Sequence, residues 1–339
     1  MTMKKYIIYF LVGAICGVAA IFVPRYLNES RKSIQQKSVV YIPLDATYEQ
    51  MCDSVATAVQ HMESFSKVAH RAGLEQNFKP GRYLFTPDKS NKDLVRMLQK
   101  GWETPMMLTL SGNIRNLEKL SGILGRKLAC DSASFSQYFA KEEVWKENGF
   151  GKETFMAMFL PNTYEVYWTI SPEKFVERMK KEYDKFWNGE RKTKAKEIGL
   201  SELEVSILAS IVCEETNYTP EMPRVAGVYM NRLKKGIKLD ADPTVKFALG
   251  DPTVKRILFR HLKVDSPYNT YLYAGLPPGP ITIPGIKGID AVLNYENHNY
   301  LYFCANSNMD GTHKFAATLS EHNRNARAYQ AALNRMKIR

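Results

Sequence analysis

Hydrophobic and polar positions divide the chain into three kinds of stretch, and the first is continuous apolar sequence. Residues 6–23, YIIYFLVGAICGVAAIFV, carry no charge and lie between Lys4, Lys5 and Pro24, Arg25. The run is just long enough to cross a bilayer, which takes about 20 residues at helical rise. It is longer than the apolar core of a usual signal peptide, and Ile15 before Cys16 makes a poor lipoprotein cleavage site, so an uncleaved anchor is expected. The flanking positive charges nearly balance, and an inside N-terminus rests on the anchor being the first segment. Residues 28–38 are polar and charged and predict a linker.

The second kind alternates between strand and helix periods. Residues 39–42 predict a strand, 46–62 a helix with Met51, Val55 and Val59 four apart, 78–86 a strand, and 91–99 a helix ended by Gly101. Together they predict a small α/β module. A second such unit is expected at 106–128, where MMLTL precedes a helical pattern capped by Asn116. Amphipathic helices follow at 132–148 and 172–187, with an aromatic turn and strand between them at 159–168.

The stretch SELEVSILASIVCEETN, 201–217, predicts the helix that the rest is built around. Ser201 and Glu204 form a capping-box pattern. Stepping about 100° per residue puts Leu208, Ile211 and Glu215 on one line down the apolar face, with Glu214 and Cys213 to the side. A carboxylate that ends a buried stripe has its pKa raised, as a general acid near neutral pH requires. The residues alone leave a second arrangement open, in which the helix frays at Cys213 and both acids face solvent. A further helix is expected at 224–235, ended by Gly236, then a short helix at 288–293, a strand at 300–305, and a closing helix from Thr318, whose pairing with Glu321 suggests another capping box.

The third kind is rich in Pro, Gly and Tyr. LDADPTVKFALGD and SPYNTYLYAGLPPGPITIPG predict long loops that are neither continuous helix nor strand. Loops of this length inside a domain are usually functional or disordered, and the tyrosines favour order. Tyr268, Tyr271 and Tyr273 either stack on sugar rings, with Asn231, Asn269, Thr270 and His313 supplying hydrogen bonds, or pack the loop itself.

Composition narrows the chemistry. The apolar fraction of 45% in 339 residues suits two or three globular domains. A formal charge of +12 favours a membrane surface or an anionic polymer, while its scatter along the chain and the lack of a nucleic-acid motif argue against nucleic acid. Five cysteines without a CxxC pair give neither a disulfide framework nor a zinc site. Cys213 with His313 lacks a thiol-protease signature. His313, His322, Asp240 and Asp242 lack paired metal-ligand spacing, so neither metal nor cofactor is expected.

Four segments in order carry a family resemblance: LASIVCEETN; VAGVYMNRLKKGIKLDADPTVKFALG; SPYNTYLYAGLPPGPITIPG; and YLYFCAN with GTHKFAATLSEHN. Upstream, FKPGRYLFTPDKSNKDLVRMLQKG and FLPNTYEVY add to it. The chain resembles the endolytic murein transglycosylase family, MltG or YceG-like, over nearly its whole length. That resemblance implies an α+β chain with a transmembrane anchor at 1–25, a linker at 26–38, a LysM-like module at 39–104, a connecting α/β region at 105–190 and a catalytic domain at 191–339. It implies a lyase of the plasma (inner) membrane that cleaves MurNAc-GlcNAc bonds of peptidoglycan outside the cytoplasm, leaving 1,6-anhydroMurNAc ends. Glycan strands are the expected partner, and peptidoglycan synthases are candidate neighbours.

Glu215, ahead of Thr216 in the family's ExET-type motif, is the implied catalytic residue. Thr216, Asn231, Asp242, Thr244, Tyr268, Asn269, Thr270, Tyr271, His313, His322 and Asn323 are the expected substrate contacts. Cys213 and Asn162 depart from the family's commoner glutamate and aspartate. Two rivals remain at this stage: a two-carboxylate hydrolase in which Asp240 or Asp242 activates water, and a peptidoglycan-binding scaffold without catalysis.

Overall fold

The computed structural model describes residues 2–112, 114–251, 253–254 and 256–336; the outermost residues of the expected anchor and catalytic domain, 1 and 337–339, lie outside it. The apolar run forms one helix, α1 (Thr2–Ser30), which continues through Pro24. It is long and apolar enough to cross a membrane and is exposed from residue 3 to residue 27. The chain divides into two compact units, the first comprising Met1–Leu108, Lys127–Cys130 and Tyr164–Ser171, the second Thr109–Arg126, Asp131–Thr163 and Pro172–Arg339. Residues 105–190 therefore contribute to both units.

In the first unit, β1 (Ser38–Ile42) is followed by α2 (Tyr48–Ala56), α3 (Met62–Arg71), α4 (Leu74–Asn77), β2 (Gly81–Phe85) and α5 (Asn91–Lys100). β1 and β2 are antiparallel, with Val40 opposite Tyr83. The strand period turns Val40, Ile42, Tyr83 and Phe85 into one core with Met51, Val55, Phe65 and Leu94. Capping residues fix the helix starts: Thr47 with Gln50, and Ser90 with Asp93, form reciprocal boxes.

Two expectations in this unit are corrected. The helix expected at 46–62 ends at Ala56 in a turn: Val59 still donates its amide to Val55 O at 3.0 Å and stays buried, while Gln60 donates to Ser33 O at 2.9 Å and Val59 forms an isolated bridge with Ile34. The stretch at 28–38 is no free linker. Ile34 is buried, Lys32 bridges Ser90, and Asn28 accepts from Ser64.

β3 (Met106–Thr109) pairs with β4 (Thr163–Val166) in a second two-stranded ribbon. The second unit holds α6 (Leu117–Lys127, bar its last residue), α7 (Ser132–Phe139), α8 (Glu142–Glu147), α9 (Pro172–Phe186), α10 (Glu190–Glu197) and α11 (Glu202–Glu215). It continues with α12 (Met222–Lys234), α13 (Asp242–Leu249), α14 (Ile286–Leu293), the hairpin β5 (Tyr302–Ala305) and β6 (His313–Ala316), and α15 (Leu319–Arg335). The helix expected at 132–148 is thus two, parted at Ala140 and Lys141.

α11 is capped by Ser201 and Glu204 as its pattern predicts, but it has no polar face in its middle. All eight residues from Val205 to Val212 are buried. Ser206 and Ser210 fit there by back-bonding to Glu202 O and Ile207 O, and Ser210 Oγ also accepts the Ile281 amide at 3.0 Å. Cys213 faces α14 rather than solvent. A Cβ on Gly288 would stand 2.3 Å from its Sγ, so only glycine lets the two helices meet there. Burial accordingly pushes the Cys213 thiol pKa up.

LDADPTVKFALGD contains a helix after all. Asp242 opens α13 and Pro243 occupies its first turn, where a missing amide proton costs nothing; Gly250, at φ 63°, ends it. SPYNTYLYAGLPPGPITIPG is irregular, as expected. Thr318 caps α15, but Glu321 Oε2 accepts the Ala317 amide, so the capping box is only half formed.

Candidate active site

α11 ends at Glu215 because Thr216 turns extended, at φ −144° and ψ 138°. The last helical side chain is thereby left at the junction of two cavities. One, of about 410 Å³, is bounded by Glu215, Tyr229, Asp242, Tyr271, Tyr302 and His322. The other, of about 590 Å³, is bounded by Glu215, Thr216, Tyr218, Asn306, His313 and Tyr329. Glu214, one residue earlier, is paired instead with Arg115.

α12 supplies the partner of the carboxyl. Tyr229, 1% exposed, donates its hydroxyl to Glu215 Oε1 at 2.6 Å, and its ring meets Phe303 edge-on at 5.9 Å. Three residues on, buried Arg232 organises the next loop. Its Nη1 donates to Lys238 O at 2.8 Å, Leu239 O at 3.0 Å and Asp240 Oδ2 at 2.8 Å, and its Nε to Leu301 O at 2.6 Å. These bonds hold Asp240 at φ 50°, an uncommon conformation for a residue with a side chain.

Burial raises the Glu215 pKa from 4.5 to about 7; the Tyr229 hydrogen bond opposes this, and the negative charges of Asp242 and Glu214 add to it. Glu215 still keeps a partly exposed surface in the cavities, so a ligand can reach it. Burial, then the Glu215 charge, raises the Tyr229 pKa well above its usual value, which keeps it a proton donor. Burial and neighbouring Arg232 lower the His322 pKa, and its Nδ1 is buried without a partner.

The expected contacts separate into those on the cavities and those behind them. Asp242, Tyr271 and His322 line the first cavity, and Tyr271 donates to Asp242 Oδ1 at 2.7 Å. Thr216 and His313 line the second. Thr244, Asn269 and Thr270 are buried: the two threonine hydroxyls meet at 2.8 Å, and Asn269 Nδ2 donates to Leu262 O and Val264 O. These three hold the loop's shape. Asn231 is engaged by His298 O and Tyr300 O, Tyr268 packs on Phe247 at 4.7 Å, and Asn323 is exposed on α15 outside both cavities.

Sequence reading missed Tyr229, Arg232 and Glu221. Glu221 accepts both the His313 amide at 2.9 Å and its Nδ1 at 2.7 Å. One signal was available: Val225, Tyr229 and Arg232 share a helical face, and an arginine on an otherwise apolar stripe calls for a buried partner. His313, His322, Asp240 and Asp242 form no metal-binding group among the described residues.

The model of the YceG-like family matches residues 40–328. An endolytic murein transglycosylase of Bacillus subtilis is 42% identical over 127 residues, covering 38% of this chain and 34% of that protein. An endolytic murein transglycosylase of Streptococcus pneumoniae is 25% identical over 359 aligned positions, covering 95% of this chain and 64% of that protein. The chain therefore spans only 34% and 64% of these relatives. The crystal structure of a yceG-like protein from Listeria monocytogenes superposes with a TM-score of 0.56 at 27% identity, covering 85% of this chain and 98% of that one.

Proposed function

The chain belongs to the YceG-like family, and on that premise we propose that it is a membrane-anchored endolytic lytic transglycosylase of peptidoglycan, with Glu215 as its single acid-base group. The observation that carries the reading is the Glu215 carboxyl, poised near pH 7 where two cavities meet. A glycan strand laid across both cavities would put its scissile bond over that carboxyl.

Protonated Glu215 gives its proton to the glycosidic oxygen, and the bond to C1 of MurNAc breaks. The carboxylate so formed takes the proton of the muramoyl 6-hydroxyl as that oxygen bonds to C1, leaving a 1,6-anhydro end. One carboxyl serves both steps because the nucleophile belongs to the sugar. Tyr229 fixes the orientation of the carboxyl throughout. A pure binding scaffold would have no need of a buried acid held near neutrality.

The hydrolytic alternative keeps one observation in its favour, since Asp242 lines the same cavity and its charge acts on Glu215. Against it, Asp242 already accepts from Tyr271, and Asp240 is bound by Arg232. Within the proposal α1 crosses the plasma (inner) membrane with its N-terminus inside, and the catalytic domain lies outside. The unit built on β1 and β2 is the LysM-like module. Cutting nascent strands would bring the enzyme beside peptidoglycan synthases.

Mass spectrometry of digested glycan strands tests the chemistry. Anhydro ends are expected from the parent, and from Glu215→Gln at a rate lower by ~10²-fold to 10⁴-fold. Reducing muramic ends from the parent would establish the hydrolase instead.

A further inference from the structure

The groove between the end of α1 and α3 is built like a phospholipid site. α3 is tied to α1 at a definite height: Ser64 Oγ donates to Asn28 Oδ1 at 2.8 Å, and Asn91 Nδ2 donates to Asn28 O at 3.0 Å and Ser64 Oγ at 3.1 Å. Asn28 lies five residues beyond Val23, the last of the apolar run. At helical rise that is about 7.5 Å, close to the depth of one headgroup layer, roughly 5–7 Å. With α1 across the bilayer, a premise shared with the proposed function, α3 is held at headgroup level.

The groove there, about 710 Å³, has two chemically different walls. Ile21 and Pro24 are apolar and belong to the spanning helix; Arg25, Lys67, His70 and Arg71 are basic or can become so. Two carboxylates temper the charge, Glu63 on Lys67 at 2.6 Å and Glu29 on Arg25 at 2.9 Å. Arg71 spends only its Nε, on Lys67 O at 3.0 Å, and has no carboxylate partner among the described residues. An apolar wall continuous with the bilayer and a basic wall one turn above it fit an acyl chain and its phosphate.

We propose that this groove binds the headgroup phosphate of an anionic phospholipid, Arg71 and Lys67 taking the phosphate while the first acyl carbons lie on Ile21 and Pro24. The contact holds α3 on the membrane surface. Glycan is a poor occupant of the same groove, because the carboxylates of its stem peptides bring no acyl chain to lie on Ile21 and Pro24.

The test uses the full chain reconstituted in nanodiscs of phosphatidylcholine alone or with about one-third phosphatidylglycerol, reading amide hydrogen exchange of Met62–Arg71. Slower exchange is expected in the anionic discs, by about five-fold for each basic residue engaged. The slowing should vanish at about 0.5 M salt, and in Lys67→Gln/Arg71→Gln, read as the ratio between the two discs, because losing the Glu63 pair and the Lys67 O contact changes exchange in both discs alike. Equal exchange in the two discs would overturn the site. The same slowing from inorganic phosphate in phosphatidylcholine discs would also overturn it, assigning the groove to a soluble phosphate. A chain that fails to insert at all would overturn the anchor itself, an outcome distinct from insertion without lipid dependence.

Discussion

Tyr229 donates a 2.6 Å hydrogen bond to Glu215 Oε1, joining the middle of one buried helix to the last residue of another. A donor aimed at a carboxylate favours its charged form, so Tyr229 moderates the pKa that burial raises to about 7. It also fixes which way the carboxyl points.

Tyr229→Phe keeps the ring against Phe303 and removes only the donor. The Glu215 pKa then rises further, and the alkaline limb of the activity profile should move up by about one pH unit, a hydrogen bond to a charged group being worth roughly 1.5–3 kcal/mol. The maximal rate should fall about ten-fold as the carboxyl loses its fixed orientation. A merely structural tyrosine would change stability without moving the limb.

Asp242→Asn separates the one-acid and two-acid mechanisms. Its charge raises the Glu215 pKa, so neutralising it should shift the alkaline limb down. Anhydro ends should still form, with turnover reduced by less than about ten-fold, because general acid-base contributions of ~10²-fold to 10⁴-fold stay with Glu215. Loss of all cleavage would make Asp242 the base of a hydrolase.

The parts legible in the sequence are those set by local rules. Ser201 and Glu204 announced α11, and Gly101 ended α5. Helical stepping singled out Glu215 although its premise of one apolar face was incomplete: α11 is buried all round, and Glu215 differs from Glu214 by what each meets, Tyr229 or Arg115. Those partners are 14 and 99 residues away, beyond any local pattern. One of the two Pro-rich segments misled in the same way. LDADPTVKFALGD is expected to be loop, yet Pro243 sits in a first turn, where proline starts a helix.

Asn269 and Tyr271 should part company when each is trimmed. Asn269 is fully buried, and its side chain serves Leu262 O, Val264 O and the Tyr271 amide. Asn269→Ala leaves half-buried carbonyls unpaired, and about 1–3 kcal/mol of stability should be lost, visible as a lower melting temperature. Tyr271→Phe removes a hydroxyl that faces the cavity and meets Asp242. Its melting temperature should hold while turnover falls. The opposite pattern would move substrate contact from Tyr271 to Asn269.

Glu215→Gln carries the last prediction, because it joins stability to chemistry in one residue. The folded-state pKa of about 7 lies above the ordinary 4.5, so the folded chain binds this proton more tightly than the unfolded chain does. The resulting stabilisation is fully present below the unfolded value and is lost as pH rises through the folded one. At about 1.4 kcal/mol per unit, the shift sets an upper scale of roughly 3 kcal/mol. Gln has no proton to lose and can still accept from Tyr229. The variant should therefore melt close to the parent near pH 4.5 and several degrees above it at pH 8, while the rate of anhydro-end formation falls by ~10²-fold to 10⁴-fold. Glu214→Gln, whose loss is the Arg115 pair, should keep most activity. A stability gain for Glu215→Gln that is the same at every pH would show that the carboxyl is not the titrating group. Anhydro ends formed at the parent rate would remove Glu215 from the reaction.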